Sequence, residues 1–185
     1  MARTQRDFTS SDLHHVTNRG VDGMDIVGID DDRYYFEWVL GETNRRTGLI
    51  IDAYALMSNH FHVLVDVVDC DDPSGAMQWM QSKYASWYNV RTERTGPLFG
   101  SRFFSKPIDD DAQYLQTARY IHRNPIDIVG TRGLVSYRWS SLGPVVKART
   151  GPGWLRIDQL ERRLDECLAS ARRHAMRESD GAASA

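Results

Sequence analysis

Apolar positions along the chain recur with two different periods. Leu49 to Met57 is apolar at every position except Asp52, a run suited to a buried strand. Ser58-Asn59 makes a turn, and His60 to Val68, rich in β-branched residues, is a second strand. The two read as a hairpin. Elsewhere the spacing is helical. Tyr35, Trp38 and Val39 mark the turns of a helix from Arg33 to about Arg46, led by Asp30-Asp31-Asp32 and stopped at Gly48. Met77, Met80, Tyr84, Trp87 and Tyr88, three or four apart, mark another from about Ser74 to Thr92, broken by Gly96-Pro97. Shorter strands fit His14 to Arg19 and residues 101–108. Asp109-Asp110-Asp111 leads a helix that runs to about Asn124, ahead of Pro125. A last amphipathic helix spans about Ile157 to Met176, with ragged ends at 1–11 and 177–185.

The order β, α, β, β, α, β predicts an α+β fold, a ferredoxin-like split βαβ sandwich with an antiparallel sheet. Two helices would cover one face. The other is left to a ligand, a partner or the last helix. The division expected is a catalytic unit at 1–145 and a C-terminal helical extension at 146–185.

Composition narrows the class without naming a function. The 185 residues suit one domain, and 41% hydrophobic content is enough for a packed core. No apolar run reaches the roughly 18–20 residues that span a bilayer, and the start of the chain has no apolar signal region. Cys70 and Cys167 stand far apart without a CxxC pattern, which disfavours a disulfide scaffold and points to a cytoplasmic protein. The net charge of -2 hides an uneven distribution: residues 21–80 hold 3 Arg against 12 Asp and Glu, whereas 81–140 hold 9 Lys and Arg against 5. Such a basic block can be a nucleic-acid face or ordinary solvated surface.

Two short patterns carry chemistry. His60 and His62 flank Phe61, so on a strand both imidazoles share one face while Phe61 enters the core. Tyr120 and Asn124, at i and i+4, share one face of a helix end that Pro125 terminates. Taken alone, each is equally well two half-buried histidines or an amphipathic helix terminus. Together, two imidazoles and a side-chain amide make a three-donor site for a hard or borderline cation with open positions. A phenol beside it is placed to attack a phosphodiester and form a 5′-phosphotyrosine. Tyr84 and Tyr88 fit an aromatic core stripe, and Tyr114 lies far round the helix from Tyr120. His14 and His15 read as structural or DNA-facing, and His122 points away from Tyr120.

The stretch Tyr54-Ala55-Leu56-Met57-Ser58-Asn59-His60-Phe61-His62-Val63-Leu64-Val65 resembles the HUH motif of single-tyrosine transposases, in particular the branch associated with repetitive extragenic palindromes. His15-Val16-Thr17-Asn18-Arg19-Gly20, Gly100-Ser101-Arg102-Phe103 and Arg119-Tyr120-Ile121-His122-Arg123-Asn124-Pro125 fit the same branch, in order across about 14–145. The resemblance implies Mg2+ or Mn2+ held by His60, His62 and Asn124, and cleavage of single-stranded, hairpin-bearing DNA by Tyr120. Asn124 stands where the wider family carries Gln. The chain would act as a monomer or homodimer. Arg19, Arg102, Lys106, Arg119 and Arg123 are the candidate phosphate contacts. Two other readings remain: a nucleic-acid-binding module without catalysis, and a metal phosphohydrolase that activates water.

Overall fold

The computed structural model describes residues 8, 10–148, 151–160 and 162–163. The predicted hairpin is present as β2 (Ile50–Leu56) and β3 (His60–Asp66), paired antiparallel with Leu56 opposite Phe61 and one register irregularity between Ile51 and Ala53. β1 (Leu13–Arg19) lies along the other side of β3, and β4 (Phe104–Ile108) along the far side of β1. All pairings are antiparallel in the order β2-β3-β1-β4, so β3 inserts between β1 and β2, as in a split βαβ fold.

Strand alternation sorts the side chains between two cores. Val16, Tyr54, Leu56, Phe61, Val63 and Val65 join Phe36, Val39 and Leu40 of α1 (Asp30–Thr47) and Met77, Met80 and Tyr84 of α2 (Pro73–Arg91). On the opposite face, Leu13, Ala53, Ala55, Leu64 and Ile108 meet Tyr114, Ala118 and Ile121 of α3 (Asp111–Arg123). The face left open by the sequence reading is therefore covered by α3. Its stripe at 114, 118 and 121 is helical in period, and the small side chains of Ala53 and Ala55 let it sit close.

Two elements start three residues from their expected bounds, and one further helix is not among those expected. α1 starts at Asp30 rather than Arg33, because Asp32 is no surface cap: its fully buried carboxylate accepts from the Gly28 and Ile29 amides at 2.6 and 3.1 Å. It also accepts from the Arg91 guanidinium of α2 at 2.6 Å. Asp32 thus joins the two helices of the first core. Asp32→Ala would leave Arg91 unpaired there, and the stability lost is expected to be about 3 kcal/mol or more, read from urea unfolding midpoints. β4 begins at Phe104, not 101, because the preceding residues pack as a loop: Gly100 donates to the Arg19 carbonyl and Val21 to that of Leu98. Past Pro125 the chain makes further helical turns, α4 (Ile126–Gly133), interrupted at Gly130 where φ is 65°. Glycines and β-branched residues hide these turns from a reading by propensity.

The segment after α4 returns to the sheet edge. Leu56 donates to the Trp139 carbonyl at 2.9 Å and Ser141 to that of Tyr54 at 3.0 Å. Further on, Leu155 bridges Ile51, the Arg156 amide donates to the Ile51 carbonyl, and the Arg156 guanidinium reaches Asp52 at 2.6 Å and Asp66 at 2.7 Å. Residues 158–160 and 162–163 are helical, while the rest of the helix expected over 157–176, and the ends at 1–7 and 177–185, lie outside the described residues. No helix among the described residues is long and apolar enough to cross a membrane.

Candidate active site and its relatives

The site lies on the α3 face of the sheet, where β3 begins. Phe61 is fully buried against Phe36 and Phe99, which turns His60 and His62 to the other face. The register sets Arg19 opposite His60 and Thr17 opposite His62, so odd positions of β1 share that face. His15 consequently lies diagonal to His62, its Nε2 2.9 Å from His62 Nδ1, with the ring centroids 5.0 Å apart and the planes 26° from parallel. The last turn of α3 lies over them. Asn124 Oδ1 is 3.2 Å from His60 Nε2, and the Tyr120 ring meets His62 and His15 edge-on at 5.4 and 5.9 Å. Tyr120 is nevertheless 54% exposed, so the phenol is accessible.

Burial keeps the imidazoles neutral. It draws the His62 pKa down to about 3, helped by the neighbouring His15 and His60, and that of His15 to about 4, helped by Lys106. His60 is lowered by burial and then by Arg19. His122, buried and 2.7 Å from Ser141 Oγ, is drawn to about 4. Since an unfolded histidine titrates near 6.5, acid favours the unfolded chain. Stability is expected to be full above about pH 6.5 and to fall between there and pH 3–4, by about 1.4 kcal/mol per pH unit for each such ring. Thermal midpoints across pH 4–8 check this.

The polar atoms around His60 suit a cation. Asn59 Nδ2 donates to the Gly23 carbonyl, which turns Asn59 Oδ1 to His60 Nδ1 at 2.7 Å. Asn124 Nδ2 points to the Tyr120 carbonyl, which turns Oδ1 to His60 Nε2. One neutral ring thus faces two carbonyl oxygens with a single N–H. With that hydrogen on Nδ1, the Nε2 lone pair faces the Asn124 oxygen at 3.2 Å. Adjacent ligands of an octahedral cation with bonds of about 2.1 Å stand about 3 Å apart, so the pair fits one. Among the described residues no group of three His, Cys, Asp or Glu side chains forms a metal cluster.

The fold thus brings His60, His62, Tyr120 and Asn124 together. Arg19 stands at the same strand end, and Lys106 lies opposite His15 on β4. Arg119 and Arg123 are exposed on α3. Arg102 is placed apart from these: it lines a groove of about 410 Å³ between α2 and the 97–103 loop, on the helix-pair side of the sheet. Tyr84, Tyr88 and Tyr114 are buried, and burial raises each phenol's pKa further. His14 is a buried structural residue within reach of Ser105 and Ser11. His15, by contrast, belongs to the site. The signal is strand alternation, which places it with His62 once the register is known.

Residues 27–124, more than half of the chain, match the family described as IS200-like transposase. The chain belongs to that family. The match takes in every element from α1 to α3, and with them all four residues that converge on the site. Two solved structures are similar to differing extents. A REP-associated tyrosine transposase bound to a REP hairpin superposes with a TM-score of 0.64 at 14% identity, over 84% of this chain and 92% of that one. A candidate transposase from Deinococcus radiodurans R1 gives 0.46 at 12% identity, over 66% of this chain and 97% of that one. No curated protein matches.

Proposed function

We propose that this family member is an HUH-type single-tyrosine transposase of the REP-associated branch, which cleaves and transfers hairpin-bearing single-stranded DNA. The observation that carries the reading is the accessible Tyr120 phenol edge-on to His62, on the same helix end as an Asn124 amide oxygen that faces His60. Support for the branch comes from its sequence motifs and from the fold shared with the REP-associated enzyme.

His60, His62 and Asn124 would hold Mg2+ or Mn2+. When bound, the cation withdraws charge from the nonbridging phosphate oxygens and favours departure of the 3′ oxygen. Tyr120 supplies the nucleophile: the phenol gives up its proton as its oxygen bonds to phosphorus, the phosphorus–O3′ bond breaks, and the 3′ oxygen leaves with the electron pair and takes up a proton to become a hydroxyl. The fragment 3′ of the break stays on Tyr120 through its 5′ phosphate. A 3′ hydroxyl of another end reverses the step and completes strand transfer. Arg19, Lys106, Arg119 and Arg123 are placed to contact the phosphates near the break, and Arg102 those of a more distant segment.

The catalytic unit in this reading is 1–145. The extension, 146–185, is fastened through Leu155 and Arg156 to β2. All four active groups come from one chain, which supports catalysis by a monomer or within each subunit of a homodimer, and with DNA as substrate the place of action is the cytoplasm. The test is covalent capture: a hairpin-bearing oligonucleotide labelled at its 3′ end should give a denaturant-stable labelled protein when Mg2+ or Mn2+ is present. Tight binding without any adduct would instead favour a non-catalytic module.

A further inference from the structure

We propose that His15 is a positioning residue, which accepts the Nδ1 proton of His62 and so fixes the tautomer that offers the His62 Nε2 lone pair to the cation. The inference rests on the reading of His62 as a ligand and assigns a role to a residue outside the donor set.

His15 Nε2 and His62 Nδ1 are 2.9 Å apart and share one hydrogen. Only two arrangements are open. If His15 donates, the His62 proton moves to Nε2 and that nitrogen has no lone pair to give. If His62 donates, Nε2 is free, and His15 carries its own proton on Nδ1. A ligating His62 requires the second arrangement, in which His15 Nε2 is the acceptor that holds the His62 proton on Nδ1.

The geometry favours a fixed device over a chance contact. β1 is hydrogen-bonded on both sides, by β3 and β4, so the His15 backbone is held at two registers. The two ring planes lie within 26° of each other, so the shared hydrogen can lie close to both planes, as an in-plane lone pair requires. Tyr120 closes the arrangement by meeting both rings edge-on.

The test measures Mn2+ binding calorimetrically, without DNA, on the wild type, His15→Phe, His15→Gln and His62→Ala, with circular dichroism as a control for folding. Removing an outer partner of a metal-bound imidazole typically costs about 10–100-fold in affinity. His15→Phe is expected to weaken Mn2+ binding by about that factor. His15→Gln, which returns an acceptor oxygen close to the lost Nε2, is expected to recover most of it. Nitrogen-15 shifts of the wild-type imidazoles provide a readout that survives if His15→Phe does not fold: His62 should carry its proton on Nδ1. A His15→Phe variant that binds Mn2+ as the wild type does, or a His62 protonated on Nε2, would overturn the proposal. Mn2+ binding that is unaffected by His62→Ala would instead refute the ligand reading, while the nitrogen shifts still decide which ring donates.

Discussion

Tyr120→Phe is expected to abolish the covalent protein–DNA adduct, by on the order of 10⁴-fold or more, while hairpin binding changes little. The change deletes one oxygen. The ring still meets His62 and His15 edge-on, and Asn124 Nδ2 addresses the Tyr120 backbone carbonyl, which the substitution leaves in place. The donor set is therefore preserved while the nucleophile is lost. Gel capture measures the adduct, and filter binding of the same oligonucleotide measures affinity. Tyr114, the other tyrosine of α3, is no substitute, because it is buried and hydrogen-bonded to Asp52. Cleavage that persists in Tyr120→Phe without an adduct would show that water attacks, as in a metal phosphohydrolase.

Chelation of divalent cations is expected to stop cleavage, with Mn2+ or Mg2+ restoring it. His60→Ala and His62→Ala should each lower the adduct rate by about 10²–10³-fold even at saturating metal, the scale for losing one preorganised electrostatic contact in a transition state. Single-turnover rates against Mn2+ concentration check this. The two substitutions should also differ in stability. His62 is almost fully buried, and its removal opens space beneath Tyr120, whereas His60 is only half-buried at the strand end. Asn124→Ala should weaken metal binding more than it alters folding, since its amide sits against the two imidazoles and the helix end rather than in the core. Activity in the presence of a strong chelator would defeat the metal reading.

What could be read from residues alone follows the range over which each signal acts. The facing of His60 and His62 needs only strand alternation around Phe61, and the pairing of Tyr120 with Asn124 needs only the pitch of a helix. Both are local, and both hold in the structure. His15 needed more. Its place beside His62 depends on β1 lying antiparallel to β3 with His15 opposite Leu64, a register set by partners about fifty residues away. The side of the sheet taken by α3 was equally hidden, since its stripe suits either face until Ala53 and Ala55 are seen to leave room. Asp32 looked like one of three helix-capping carboxylates, and only the approach of Arg91 from α2 turns it inward.

The return of the chain along β2 has a consequence for association. Edge strands carry open amides and carbonyls that invite another molecule to add a strand. Here Trp139, Ser141 and Arg156 occupy backbone groups along β2, while β4 at the opposite margin is five residues long and contains Pro107, which has no amide hydrogen to offer. Both borders of the sheet are thus poor templates for growth, and two copies engaged on one DNA would have to meet through side-chain surfaces rather than by extending a common ribbon.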